Sequence, residues 1–512
     1  VHIARKQYLD GSIPTGFQRT TILGVDGSIP YGDRRIGIIQ LGLEEDACRE
    51  ISDAGHFRTY RTDRLGIPLI ETVTMPEMRT PQEVADVAEI LRWLVRSTGK
   101  VRTGIGATRQ DVNVSVTGGQ RVEIKGVPRI PDIPLLVHNE ALRQVALLRI
   151  KKELASRGVD HSTFKFEAHD VTDVLKGTQY YPVAKPLKKG LEVRAVVLRG
   201  YRGILSTRTQ PETTFSKEIS DRVRVIACLD RLPNIAHSDM EGETFSSAEW
   251  TRMKKICAMG DNDAIVVVWG EPGDLATAVK EIAIRAEEAI DGVCNETRQA
   301  LDDGTNGFER ILPGPNRMYP DTDLPPIAIT TEHIERIAAG LPEKPWERRN
   351  RYIEAGLRED LARRMSVSPM RFVFDRLVIK TPFTPISLAV FLLDILRRMR
   401  KKEEFPGYSE EAMEKAVIAA GAAGLIVEAL PHLMKRVFSV KSAPVDEAVR
   451  ALEPVPAGEL RVTIGTFITG LEPPDIDREK LARHLARAVM EKFGGLAPGR
   501  NIIRMIEDCV KA

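Results

Sequence analysis

The chain has no Cys-x-x-Cys pair. Its five cysteines, at positions 48, 228, 257, 294 and 509, are scattered through 512 residues, so neither a zinc knuckle nor a disulfide framework is indicated and a reducing cytoplasm fits. No signal peptide or apolar run of membrane length is present. The segment 386–396 is apolar but short and ends on Arg397 and Arg398, which predicts a helix packed in a bundle. Also missing are Gly-x-x-x-x-Gly-Lys-Ser/Thr, a Gly-x-Gly-x-x-Gly opening a helix, Gly-x-Ser-x-Gly and His-Glu-x-x-His. The run Thr103-Gly104-Ile105-Gly106-Ala107 is a weak glycine signal and reads as a tight turn. A bound nucleotide would therefore be held by side-chain cations and by metal on carboxylates, not by a phosphate-cradling helix N-terminus. A net charge of only +2 argues against bulk coating of nucleic acid. Local clusters at Glu347-Arg348-Arg349-Asn350-Arg351, Arg363-Arg364 and Arg397-Arg398-Met399-Arg400-Lys401-Lys402 suit either solvated helix faces or a shaped nucleic-acid surface.

What is present is a hairpin with two unlike faces. Residues 109–116 and 121–127 alternate, with Val112, Val114, Val116, Val122 and Ile124 on one side and Arg109, Asp111, Asn113, Ser115, Arg121, Glu123 and Lys125 on the other. The turn Thr117-Gly118-Gly119-Gln120 joins them. The polar face mixes oxygen ligands suited to hard metals with cations suited to phosphate. It suits a nucleotide site, and it equally suits a solvated ribbon with cross-strand ion pairs. Two acidic segments accompany it. Residues 35–43 read as a buried strand leading into Glu44-Glu45-Asp46, and Gly66-Ile67-Pro68-Leu69-Ile70-Glu71-Thr72-Val73 is an apolar run with one carboxylate. Burying Glu71 there requires compensation, either an ion pair such as one with Arg64 or a metal ion.

A chain of this length holds several domains, because single cores stop growing near 250–300 residues. Strand patterns dominate up to about residue 135. They are interrupted by a helix that Thr80-Pro81-Gln82-Glu83 opens and Gly99 closes, with an apolar stripe of Val84, Val87, Ile90, Leu91, Leu94 and Val95. A second helix is expected over 138–157. Strands and helices alternate over 190–290, including 264–269 and a helix over 275–290, which reads as an inserted α/β domain. Turn-rich segments with more carboxylates return at Asn295-Glu296-Thr297-Arg298 and 318–326, and beyond Leu341-Pro342-Glu343-Lys344-Pro345-Trp346 the chain reads as helical. The expected fold class is α+β and multidomain. A β-rich cradle over 1–189 and 291–340 carries the insert 190–290, followed by a helical domain over 341–465 and a small helical tail over 466–512. The opening Val1-His2-Ile3-Ala4-Arg5-Lys6, with no methionine and no capped element, leads to the expectation of a preceding piece.

Several of these segments together resemble one family. Lys6-Gln7-Tyr8, Leu43-Glu44-Glu45-Asp46-Ala47, the run 63–71 from Asp63-Arg64-Leu65 to Glu71, the strands 109–116 and 122–125, Glu296-Thr297-Arg298 and Leu341-Pro342-Glu343 resemble, in order and spacing, the B/E family of tRNA-dependent amidotransferase subunits. The block 190–290 resembles the domain that the archaeal E-type branch shares with bacterial-type aspartyl-tRNA synthetases, which favours that branch. The resemblance implies a reaction in which ATP phosphorylates the side-chain carboxylate of glutamate carried on tRNA(Gln). Ammonia from an asparaginase-like partner, the D-type chain of the complex, then displaces phosphate, in a heterotetramer of two D-type and two E-type chains in the cytoplasm. It implies Mg²⁺ on Glu45, Glu71 and Glu123, with Glu44, Asp111 and Asn113 completing the cage. Lys125, Arg64 and Arg109 would clamp phosphate or carboxylate. The family's Glu-x-His metal element lies upstream of anything in this sequence, and His2 and His56 do not sit in that context. The tail from Lys480 resembles the family's contact with the tRNA elbow, although residues 493–500 follow its Gly-Arg pattern only loosely. A synthetase-related tRNA-binding protein and a non-catalytic tRNA scaffold are the alternatives.

Overall fold

Two sheets, each with one polar face, dominate the first part of the chain. In the computed structural model, which describes residues 1–9, 13–104, 106–311, 318–322, 324–402, 405–439, 442–471 and 478–511, the chain divides into two units. One comprises residues 1–92 and 103–336, the other 93–102 and 337–512. Ile105, Asp323 and Glu472-Pro473-Pro474 lie outside the described residues. The architecture is mixed α and β, as expected.

The first sheet holds five strands in the order Met318–Asp321, Ala4–Tyr8, Phe17–Tyr31, Arg34–Glu45 and Pro68–Thr74, all antiparallel. Pro68–Thr74 is an edge strand, which suits a leading proline that cannot donate to a ladder. Its apolar run is not buried: Leu69, Ile70 and Glu71 are exposed, so the sequence reading of Glu71 as a carboxylate enclosed by apolar residues is corrected. The expected buried strand likewise forms at Arg34–Glu45, but only Ile36 and Gly42 in it are fully buried.

The second sheet runs Asn306–Ile311, Glu296–Ala300, Val122–Val127 and Gln110–Val114. Val112, Val114, Val122 and Ile124 are buried on one side, as the alternation predicts; Val112, Val114 and Ile124 pack on Ala85, Ile133 and Leu136. Asp111, Asn113, Ser115 and Arg121 are exposed on the other. The central pair, Val122–Val127 with Glu296–Ala300, is parallel, so it cannot be a hairpin and needs a long crossover.

That crossover contains a third sheet, ordered Ile235–His237, Ala264–Gly270, Glu192–Leu198 and Phe166–Asp170. Alternation splits it cleanly. Val196, Leu198, Val266 and Val268 face the helices Ile133–Ser156, Phe215–Ile226 and Pro272–Glu288, whereas Val193, Ala195, Val197, Ile265 and Val267 face the opposite core with Val183 and Met253. The sheet begins at Phe166, upstream of the expected boundary at 190, and shares one core with Leu147, Ile150 and Leu154 of the preceding long helix.

Between that helix and the second sheet lies a buried ionic layer. Arg143 donates to Glu218 Oε1 at 2.8 Å and Oε2 at 3.0 Å, to Glu140 at 3.0 Å and to Glu296. Arg298 donates to Glu218 Oε2 at 3.0 Å and Glu296 Oε1 at 2.7 Å, and Arg285 stands 3.8 Å from Glu218. All six side chains are at most 1% exposed. Three guanidinium groups meet three carboxylates, so the layer is formally neutral, which is what makes its burial tolerable.

In the second unit, helices from Pro345–Glu354 to Val445–Arg450 share one core around Tyr352, Phe374, Phe391, Met413 and Leu433. The segment 386–396 is helical with a π-helical turn at Phe391–Ile395 and is packed there, as expected. The final helices, Ala457–Thr469, Arg478–Phe493 and Gly499–Lys511, form their own core, so the tail unit starts before residue 466. Among the described residues no helix is long and apolar enough to cross a membrane.

Replacing Arg143 by Met leaves Glu140, Glu218 and Glu296 short of a cation, and the expected loss is about 3–5 kcal/mol in urea denaturation. The layer also sets an acid limit. Burial opposes ionisation of Glu218 and Glu296, but the arginines hold both carboxyls below the ordinary value of 4.5, while burial raises Glu140. The stabilisation from Glu218 and Glu296 is complete above that value and is lost as pH falls towards their folded-state values; Glu140 has the opposite sign. Stability measured between pH 6 and pH 3 should therefore decline steeply, and a flat profile would count against the layer.

Candidate active site

Register decides which acidic side chains meet. In the first sheet Gly42 stands opposite Glu71 and Glu44 opposite Leu69, so Glu44 and Glu71 project from the same face. Thr20 is opposite both Glu44 and Ala4, and Gln18 is opposite Lys6, which places Lys6, Gln18 and Thr20 on that face too. Glu44 is paired with Lys6 and accepts from Thr20 Oγ1 at 3.2 Å and Gln18 Nε2 at 3.4 Å. Burial alone would lower the Lys6 ammonium, but the hydrogen bond and charge of Glu44 hold it above its ordinary value.

Glu45 goes the other way. One residue along the strand, it projects from the reverse face, where it accepts from the Arg19 backbone N–H at 2.9 Å and pairs with the Arg19 guanidinium at 3.2 Å. Glu45 therefore does not share the face of Glu71 as expected; its neighbour Glu44 does. Arg64 is also elsewhere. Its guanidinium donates to the buried carboxylate of Asp46 at 2.7 Å, pinning the loop before the edge strand, so the expected ion pair with Glu71 is not formed by it.

The second sheet supplies the remaining groups. Asn113 is opposite Glu123 across the hairpin, and Thr297 is beside Glu123 in the parallel pair, its Oγ1 donating to Glu123 Oε2 at 3.0 Å. Two bulges re-aim side chains here. Val122–Val127 carries an extra residue opposite Asp111, and Gly126, at φ +66°, turns its N–H onto Asp111 Oδ1 at 2.7 Å. Only glycine takes that backbone conformation without strain. The other bulge skips Glu309: Thr297 is opposite Arg310, and Arg298 is opposite Phe308. Arg109 is exposed, its stem beside Gly126.

Electrostatics tie the two sheets together. Glu71 is open to water, yet the walls around it and then the charge of Glu44 raise its carboxyl above 4.5; Asp111 and Glu123 add to the rise and Lys6 opposes it. Burial raises Glu309, with Lys125 and Arg310 opposing and Asp111 and Glu123 adding. Five carboxylates, Glu44, Glu71, Asp111, Glu123 and Glu309, thus share one electrostatic neighbourhood with three cations, Lys6, Lys125 and Arg310. Among the described residues no three His, Cys, Asp or Glu side chains stand close enough together to hold a metal ion by themselves. Lys6, Thr297, Glu309 and Arg310 were not picked out as site residues from the sequence. Lys6 and Thr297 lay in segments that carried the family resemblance; Glu309 and Arg310 had no signal.

The chain is similar to known proteins along most of its length. A family model described as the GatB/GatE catalytic domain matches residues 1–335. The E-type chain of the glutamyl-tRNA(Gln) amidotransferase of Thermococcus sibiricus is 36% identical over 519 residues, covering 99% of this chain and 80% of that protein. The proteins of the same description from Sulfurisphaera tokodaii and Sulfolobus acidocaldarius are 34% and 35% identical, covering 99% and 98% of this chain and 81% and 80% of their own lengths. The chain belongs to the GatB/GatE family, aligning along most of its length with archaeal GatE proteins.

Proposed function

We propose that this chain is the component of a tRNA-dependent amidotransferase that activates glutamate carried on tRNA(Gln), using ATP. The observation that carries the proposal is the placing of Glu71 among Glu44, Asp111 and Glu123, whose negative charge Lys6 offsets only in part. Relatives described as E-type chains of glutamyl-tRNA(Gln) amidotransferase name the substrate class. A carboxylate reacts poorly with amines because its leaving group is oxide. Phosphorylation to the γ-glutamyl phosphate supplies a good one, which ammonia from an asparaginase-like D-type partner displaces in a cytoplasmic heterotetramer of two D-type and two E-type chains.

The residues suit Mg²⁺ in kind. Mg²⁺ prefers hard oxygen donors, keeps several waters and is commonly held by one or two carboxylates plus substrate phosphates, which an acidic group without a three-carboxylate cage can supply. One or two of Glu44, Glu71 and Glu123 would hold it together with waters and substrate phosphate oxygens, with Asp111, Asn113 and Glu309 around them. When bound, Mg²⁺ offsets charge where the triphosphate and the substrate carboxylate meet. The protein's own part is positional and electrostatic. Lys125 and Arg310 lie beside Glu309, available to pair with phosphate or carboxylate oxygens, and Arg109 stands exposed near Gly126. The 190–290 block, read as the aspartyl-tRNA synthetase-like domain, and the three-helix tail are the proposed tRNA-facing parts.

Glu71→Gln and Glu123→Gln should abolish ATP cleavage stimulated by Glu-tRNA(Gln), with tRNA affinity unchanged within a few fold. Glu45→Gln, on the reverse face, should retain most of the activity; if it loses as much as Glu71→Gln, the assignment of faces fails. A non-catalytic scaffold would show no stimulated ATP cleavage at all. Truncation after about residue 456 should weaken tRNA binding and flatten its salt dependence while leaving turnover at saturating tRNA. Unchanged affinity would remove the tail from the tRNA surface.

A further inference from the structure

The proposed metal site rests on carboxylates whose rotamers must be held, and one contact holds Glu123 from behind. Thr297 is completely buried, and its hydroxyl donates to Glu123 Oε2 at 3.0 Å across the parallel strand pair. Its two neighbours project from the opposite face, where Glu296 and Arg298 are fixed in the ionic layer. Arg298 donates to Glu296 and Glu218, and also to the Asn306 carbonyl oxygen at 2.9 Å, while Arg143 reaches Glu296 and Glu218. A strand anchored on both sides of Thr297 holds its backbone in place, and β-branching with burial restricts rotation of its side chain. The bulge at Thr297 and Arg298 then brings Arg310 opposite Thr297, so the same short segment orders the edge that carries Glu309 and Arg310.

We infer that Thr297 is a positioning residue of the site: its buried hydroxyl fixes the orientation of the Glu123 carboxylate and so sets the affinity for divalent metal. This rests on the proposed reading of Glu123 as a metal-holding group. A threonine present only to fill space would be replaced without loss by valine, which has nearly the same shape and no hydroxyl. A threonine acting through its hydrogen bond would not, and serine, which keeps the donor and drops the methyl, would restore the function. Orienting partners of metal-holding groups typically contribute about 10–100-fold in metal affinity.

The test measures Mn²⁺ binding by electron paramagnetic resonance on the full chain, with a non-hydrolysable ATP analogue present, for the unchanged protein, Thr297→Val and Thr297→Ser. Thermal midpoints are recorded alongside. Thr297→Val should bind Mn²⁺ at least about tenfold more weakly while keeping its thermal midpoint within a few degrees, and Thr297→Ser should return to within about threefold of the unchanged protein. In turnover, Thr297→Val should raise the Mg²⁺ concentration required for half-maximal rate more than it lowers the rate at saturating Mg²⁺. Equal Mn²⁺ binding by Thr297→Val and the unchanged protein overturns the inference alone. A serine variant as weak as the valine variant also overturns it, because the donor would then not be the operative group. If the unchanged protein binds no Mn²⁺ with the analogue present, the metal reading of the site falls, and the inference falls with it.

Discussion

The catalytic half is organised around a buried electroneutral layer. Burying a single guanidinium costs several kcal/mol unless its charge is met, and Arg143, Arg285 and Arg298 are met by Glu140, Glu218 and Glu296 in matching number. Those six side chains come from the Ile133–Ser156, Phe215–Ile226 and Pro272–Glu288 helices and from the Glu296–Ala300 strand. No apolar contact would align these four elements with the same directional constraint, because each arginine fork accepts only a narrow set of carboxylate geometries. With the layer in place, the position and tilt of the Glu296–Ala300 strand are fixed, and with it the partner strand that carries Glu123.

The two faces of that sheet have opposite electrostatic logic. On the inner face every charge has its counterpart and the groups are closed to solvent. On the outer face burial first, and then the charges of Asp111 and Glu123, raise the proton affinity of Glu309 and of Glu71 on the neighbouring sheet. With charges paired in number behind and acidic groups in front, charge that arrives from outside meets groups already in position.

Much of this could be read from the chain. Period-two alternation separated Val112, Val114, Val122 and Ile124 from Asp111, Asn113 and Glu123, and the burial follows that division. The apolar identity of 264–269 gave a central strand, and Thr80 and Gly99 bracket the helix at Pro81–Ser97. Parity was the weak point. Glu44 and Glu45 are adjacent, and only the face count tells them apart; bulges between Ile22 and Gly24 and between Ile38 and Gln40 break that count, so pairing had to be seen before the faces could be assigned. Glu309 was invisible for the same reason, because it is the residue skipped at a bulge. Glu140, Arg143 and Gln144 carried no signal: polar residues in mid-helix ordinarily mark a solvated face, yet all three are buried.

The parallel pairing of Glu123 with Thr297 joins residues 174 positions apart. During synthesis the first of these strands emerges long before its neighbour exists, and the hairpin Gln110–Val114 with Val122–Val127 must wait with one edge unpaired until the intervening sheet and helices have been made. The acidic face is therefore among the last features of the first unit that a growing chain can complete. An incomplete nascent polypeptide would carry part of the acidic group without its fixed partner until the whole crossover has folded.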